Sequence, residues 1–264
     1  MAGTVVTSTA EFPVGTPLLA HGYRIGTGQD GGFAEYAKVP SDWLVPLTHL
    51  STQQAMAIGT AGFTAAMSVL AIEEAGIRPG VGPIVVTGAS GGMGTRSIDM
   101  LSSLGYEVVA STGKEDTHEL LKKIGATKTI GRLPAPGNGK FRPLSPSAWS
   151  GAVDTVGGKT LAHVLSSLSY GGVVAASGNA GGIELPTTVL PFILRGISLK
   201  GIDSVMMSII DRRALWRRIE SDLLPSRLSL TTAEIDISNV AEALESVQSG
   251  THVGRAVVRV KGGF

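Results

Sequence analysis

The chain contains no cysteine. That absence excludes disulfides, a thiolate nucleophile and cysteine-held zinc, and it agrees with a cytoplasmic location. Charge imbalance is also missing: 22 Lys and Arg face 21 Asp and Glu, for a net +1. Nothing there points to nucleic acid or to an acidic partner. No run of about 18 apolar residues occurs, so no membrane span is expected. No basic segment leads into an apolar stretch at the N-terminus, and no signal peptide is expected. The histidines, His21, His49, His118, His163 and His252, show no paired metal-ligand spacing, so no metal site is expected.

Glycine and apolar residues are abundant. With 36 glycines and 43% hydrophobic residues in 264 positions, the chain can fill one large or two small domains. Its most informative stretch is Ile84-Val85-Val86-Thr87-Gly88-Ala89-Ser90-Gly91-Gly92-Met93-Gly94. A strand runs into a glycine-rich turn and then a helix, the arrangement by which α/β proteins bring backbone N–H groups to a nucleotide diphosphate. Three readings compete. Gly88-x-Ser90-x-Gly92 matches a hydrolase nucleophile elbow, but Asp154 with His163 or His252 has no distinguishing neighbourhood as a triad. Thr87-Gly88-x-x-x-Gly92-x-Gly94 matches the opening turn of short-chain dehydrogenases. That chemistry needs a lysine four residues after a tyrosine to tune its phenol, and Tyr23, Tyr36, Tyr106 and Tyr170 have Thr27, Pro40, Ala110 and Val174 there. Ala89-x-Gly91-x-x-Gly94, the dinucleotide fingerprint with alanine first, survives.

The residues after the turn agree. Ile98, Leu101 and Leu104 space a helix stopped by Gly105, and Glu107 to Ala110 reads as the second strand. In NAD-preferring folds an acid near this strand's end meets the ribose. Here Ser111-Thr112-Gly113-Lys114 offers hydroxyls and a cation, which suit a 2′-phosphate, so NADP(H) is expected. Glu115 is counter-evidence, and a solvated turn lysine is the alternative for Lys114. Asp116 with Glu119 predicts a helix cap, and Lys122, Lys123 and Gly125 its end. Further strands are expected at 128–130, 152–156, 172–176 and 197–202, with a helix through Leu161, Val164, Leu165 and Leu168. Apolar strands alternating with helices predict a doubly wound α/β parallel sheet.

The first 59 residues differ. Thr4-Val5-Val6, Leu18-Leu19-Ala20, the alternating Phe33–Val39 and Leu44–Leu47 predict short strands of a β-rich unit. A helix is expected over Ser51–Leu70, broken around Gly59-Thr60-Ala61-Gly62. The Pro- and Gly-rich stretch Gly131–Ser147 predicts a surface insertion or a flap.

Together Asp30–Ala37, Gly59–Ala65, Thr87–Gly94 and Gly201–Val205 resemble the medium-chain dehydrogenase/reductase superfamily, and within it the zinc-independent quinone oxidoreductase-like branch. Ala110–Lys114 and Leu185–Gly196 narrow the resemblance to the acryloyl-CoA reductase group. The resemblance implies a partial GroES-like catalytic domain at 1–59, a Rossmann NADP-binding domain at 60–204 and a return to the catalytic domain at 205–264. It implies that Ser90, Gly91, Gly92 and Met93 hold the diphosphate. Thr112, Gly113 and Lys114, with Lys128, would meet the 2′-phosphate, and Asn179, Ile193 and Ser204 would line the groove. Structural alternatives stand beside these: core for Ile193, a turn for Asn179, helix capping for Thr60 and Thr64. The implied reaction is zinc-independent hydride transfer from NADPH to an enoyl thioester or a quinone-like enone, and a homodimer is the candidate assembly. No catalytic residue is assigned; Asp203, Tyr23 and Arg195 are proton-donor candidates by type only. Relatives place further strands before the segment matching Ala2–Val6, so exposed sheet edges and apolar surface are expected. A non-catalytic NADPH-binding module is the alternative reading.

Overall fold

A computed structural model describes residues 1–134 and 142–260. Residues 135–141 of the Gly131–Ser147 stretch lie outside the described residues. Three short strands open the chain, β1 (Ala2–Thr4), β2 (Pro17–Leu19) and β3 (Val45–Pro46), paired antiparallel in that order. Helix α1 (Thr52–Glu74) comes next. Ser51 Oγ accepts from the Gln54 N–H, and the Gln54 side chain accepts from the Ser51 N–H, so two orphan donors are satisfied at once. The expected break is a kink at Gly59, with φ 54° and ψ −163°. By length and composition α1 could cross a membrane, yet most of its apolar stretch is buried inside the protein.

The central sheet then forms by alternation: β4 (Ile84–Thr87), α2 (Gly92–Ser103), β5 (Val108–Ser111), α3 (His118–Lys123), β6 (Lys128–Ile130), β7 (Trp149–Asp154), α4 (Gly158–Ser166), β8 (Leu168–Ala176), α5 (Leu190–Arg195) and β9 (Ser198–Gly201). All six strands are parallel, in the order β6-β5-β4-β7-β8-β9. Side chains alternate across a strand, and this sorts the core. Ile84 and Val86 face Phe63 and Ile72 of α1 and Ile98 and Leu101 of α2. Val85 faces the other way, with Ala152 and Val174, onto Leu161 and Leu165 of α4. Both faces are covered, as a buried parallel sheet requires. Strand order reverses between β4 and β7, so the loops leaving their carboxyl ends diverge and open a crevice.

The chain closes with α6 (Ile209–Ile219), β10 (Thr232–Asp236), α7 (Val240–Gln248) and β11 (Arg255–Arg259), β10 and β11 pairing in parallel. Leu215, Trp216 and Ile219 of α6 are buried in the core, as their spacing predicts.

Three expectations fail. Leu168 is not on the helix of Leu161, Val164 and Leu165: that helix ends at Ser166, and Leu168 opens β8. Phe33–Val39 forms no strand. A strand needs a neighbour, β1, β2 and β3 pair only with one another, and Phe33 and Tyr36 stand exposed. Asp116 does not cap α3. Residues Glu115–Thr117 make a 3-10 turn, and the N-cap is Thr117, whose hydroxyl donates 2.6 Å back to the Lys114 carbonyl. The turn moves the helix start past the residue that carries the local cap signature.

Candidate coenzyme site

The turn after β4 is shaped by what its glycines exclude. Gly88 takes φ 58°, open to glycine without strain. A Cβ on Gly94 would stand 2.5 Å from the Gly88 carbonyl oxygen and 2.7 Å from Ala89 Cα. Close strand–helix packing thus needs glycine there, the role of the third fingerprint glycine. A Cβ on Gly92 would stand 2.7 Å from Arg255 Cδ and 3.1 Å from the Gly254 carbonyl oxygen. Gly91 is the N-cap of α2 and offers no side chain to the first turn, which carries no acid. The amides of that turn and the helix dipole therefore face the crevice with positive potential. A turn without side chains and with positive potential is suited to an anion such as a diphosphate.

The carboxyl ends of neighbouring strands bring the other predicted residues to the same edge. Ser90 Oγ lies 3.0 Å from Thr112 Oγ1, joining the turn after β4 to the turn after β5. Thr112 Oγ1 accepts 3.1 Å from the Lys114 N–H. Gly113 carries no side chain because the Arg132 guanidinium occupies that space. The Lys114 ammonium donates to the His252 carbonyl, and its partial burial lowers its pKa, with the Arg132 charge adding to the shift against Asp116. After β8, Ser177 Oγ donates 2.9 Å to Met93 Sδ, and Asn179 is exposed on the next turn. Ser204, three residues past β9, is buried and its carbonyl accepts 3.0 Å from Arg212.

Lys128 and Ile193 stand apart. Lys128 opens β6 opposite Val109, at the far end of the strand pair from Thr112. Ile193 is 70% exposed on α5, beside Arg195, whose guanidinium donates to the carbonyls of Ser145, Ser166 and Leu168. Thr64 Oγ1 donates 2.7 Å to the Thr60 carbonyl of its own helix. The Tyr23 hydroxyl donates 3.0 Å to the Met207 carbonyl. Asp203 Oδ1 accepts from the N–H groups of Val205 and Met206, closing the turn. The three proton-donor candidates, Arg195, Tyr23 and Asp203, are all engaged in holding loops.

Sequence reasoning missed Arg255 and Arg132. Arg255 opens β11, far along the chain from the turn. Its stem lies against Gly92, and a Cβ on Gly59 would meet its NH2 at 2.5 Å. Burial lowers its pKa, its Nε has no partner among the described residues, and it forms no ion pair among them. No sequence signal pointed to it: Gly59 is already required by its φ of 54° at the kink. Arg96 adds a second buried guanidinium, held by the Ala57 carbonyl and the hydroxyls of Thr231 and Thr232. Asp154, at the end of β7, braces the crevice floor. Its Oδ1 accepts 2.7 Å from Thr87 and its Oδ2 accepts 2.7 Å from the Gly157 N–H, and burial raises its pKa. Among the described residues, no three His, Cys, Asp or Glu gather as a metal site would require.

Comparison with known proteins gives this geometry its context. A family model described as zinc-binding dehydrogenase matches residues 92–221. Bacillus subtilis YhfP, provisionally named a quinone oxidoreductase, is 47% identical over 262 residues, 98% of this chain and 79% of its own. Its structure with NAD bound superposes with a TM-score of 0.94 over 98% of this chain and 79% of that one. Acrylyl-CoA reductase AcuI of Ruegeria pomeroyi is 45% identical over 98% of this chain and 79% of its own. Escherichia coli YhdH with bound NADPH is 47% identical and superposes with a TM-score of 0.93, covering 97% of this chain and 79% of that one. The chain belongs to the zinc-independent quinone oxidoreductase and acryloyl-CoA reductase branch of the medium-chain dehydrogenase/reductase superfamily.

Proposed function

We propose that this chain binds NADPH along the carboxyl edge of its sheet and reduces the activated double bond of a small enoyl thioester such as acryloyl-CoA, or a quinone-like acceptor. The observation that carries the reading is the cationic set around the glycine turn: Arg255 against Gly92, with Lys114 and Arg132 flanking Gly113. The backbone amides of Gly92 and Met93 and the Arg255 guanidinium hold the diphosphate, while Gly91, whose own N–H donates 3.0 Å to the Gly88 carbonyl, closes the turn beneath it. Ser90, Thr112, Gly113, Lys114 and Arg132 hold the adenosine 2′-phosphate, to which a guanidinium and an ammonium are both suited. Lys128, at the far end of β6, and Ile193, exposed on α5 as groove lining, are the outlying residues of the proposed site. Asn179 and Ser204 border the nicotinamide end. When bound, the coenzyme supplies the hydride for the electron-poor carbon of the acceptor, and a proton completes the reduction. The protein's part is orientation and exclusion of water. Segments 1–59 and 205–264 form the acceptor side of the crevice around the 60–204 nucleotide unit.

A chain without cysteine fits a cytoplasmic location, and neither nucleic acid nor a membrane is a partner in this reading. A second copy is. β9 is one of the two outer strands of the sheet, its residues are exposed, and Leu199 on it and Leu194 on the preceding α5 are uncovered, an edge that invites pairing. Light scattering of the purified chain tests the homodimer. Coupled loss of NADPH absorbance and acryloyl-CoA or quinone tests the activity. NADPH binding without turnover of either acceptor instead identifies a coenzyme-binding module.

A further inference from the structure

The connection between α7 and β11 touches both phosphate subsites of the proposed coenzyme site. Its shape is fixed from one residue. The Ser246 carbonyl accepts 3.0 Å from the N–H groups of both Thr251 and His252, and Ser246 Oγ lies 3.0 Å from His252 Nδ1. Gly250, at φ 72°, turns the chain out of α7, and Gly254, at φ 67°, turns it into β11. Held this way, the loop makes two contacts with the nucleotide unit. The Gly254 N–H donates 2.9 Å to the Ser90 carbonyl on the diphosphate turn. The His252 carbonyl accepts from the Lys114 ammonium beside the 2′-phosphate subsite.

We propose that His252 and Ser246 are positioning residues for phosphorylated coenzyme: they set the loop whose carbonyl aims Lys114 at the 2′-phosphate. An ammonium has three donors, and one bond to a fixed carbonyl leaves two for a phosphate while removing most of the side chain's rotational freedom. Ordering the lysine before the ligand arrives lowers the entropic cost of binding. Glu115 and Asp116 lie beside Lys114 in sequence, and Asp116 attracts its charge. The His252 carbonyl holds the ammonium against that pull. The imidazole itself makes no contact with the subsite; it acts through the carbonyl of its own residue on Lys114. The Gly254 contact to the diphosphate turn is made two residues further on, so the effect falls on coenzymes that carry the 2′-phosphate.

This inference rests on the proposed NADPH site, and one set of binding measurements separates the two. Dissociation constants for NADPH and NADH are measured by calorimetry on the full chain and on His252→Ala, Ser246→Ala, Lys114→Ala and the Lys114→Ala/His252→Ala double variant. The expected result is a loss of NADPH affinity of about threefold or more in His252→Ala and Ser246→Ala, the scale of contacting-residue coupling, with NADH unchanged. Adding His252→Ala to Lys114→Ala should then weaken NADPH no further. Equal losses for NADPH and NADH mean a merely structural loop and overturn the proposal. So do additive effects of Lys114→Ala and His252→Ala on NADPH. Unchanged ratios in a chain that still prefers NADPH overturn the positioning role alone. A chain that binds neither coenzyme overturns the proposed function and this inference with it. Ser246→Ala keeps the test decisive if His252→Ala does not fold.

Discussion

Replacing Arg255 with methionine should weaken NADPH and NADH by the same factor while leaving the free protein as stable as before, or more so. Methionine keeps an unbranched stem against Gly92 and removes the charge. In the free chain that charge is a liability: the guanidinium is largely buried, burial lowers its pKa, and its Nε has no partner among the described residues. A desolvated cation without a counter-ion costs stability. With a diphosphate beside Gly92 the same cation gains charge-assisted hydrogen bonds, each worth ~1.5–3 kcal/mol. One such bond lost corresponds to about 10- to 150-fold in affinity. A full ion pair at ~4 Å and an effective dielectric constant near 20 sets the ceiling, about 4 kcal/mol. Both coenzymes carry the diphosphate, so both must respond alike. Calorimetric titration with each coenzyme, beside thermal melts of the unliganded variant, is the assay. A loss confined to NADPH would place Arg255 at the wrong phosphate, and a change within about twofold would remove it from the site. A large fall in Tm of the free protein with parallel losses would reduce its role to holding β11 in place.

Lys114→Ala and Arg132→Ala should each cost NADPH about tenfold, the lower end of a charge-assisted bond, with NADH affinity unchanged; raised salt should narrow the NADPH preference of the parent chain. Gly94→Ala puts a methyl 2.5 Å from the Gly88 carbonyl oxygen. Overpacking of this kind costs ~1–3 kcal/mol, so thermal melts should fall by several degrees and NADPH should restore less of the loss than in the parent. His21 accepts from Trp216 Nε1 at 2.9 Å beside the buried Arg212 guanidinium, and burial first, then that charge, push its pKa down to about 2. The unfolded chain takes up a proton near pH 6.5 that the folded chain refuses until about pH 2. Its stabilisation is therefore complete above pH 6.5 and is lost as pH falls below it, by ~1.4 kcal/mol per pH unit. Denaturant titrations from pH 7 to pH 4 should show a shallower slope in His21→Gln, and identical slopes would refute the assignment.

The sequence by itself determined the central sheet and the turn after its first strand, and it supplied the residues of the proposed phosphate edge up to Lys114. Those features are local. A strand's apolar run, a glycine that a fixed backbone angle or a close neighbour requires, and a hydroxyl or cation at a strand's end are written within a few positions of one another. Even the α1 kink was legible, because Gly59 breaks a helical pattern that is otherwise continuous. Local signals misled where a neighbour had to agree. Phe33–Val39 alternates like a strand, but no described strand offers it hydrogen bonds, and the Asp116 cap signature yields to a 3-10 turn that moves the start of α3. Tertiary structure alone decided which distant groups reach the site. Arg255 arrives beside Gly92 because β11 pairs with β10 and passes under the α2 terminus. Arg132 fills the space over Gly113 because β6 lies beside β5. The His252 carbonyl reaches Lys114 because Ser246 shapes a loop more than a hundred residues further along the chain. Charge acts through space over several ångströms while sequence motifs are read along the chain, so the residues that complete the cationic site were invisible until the chain had folded.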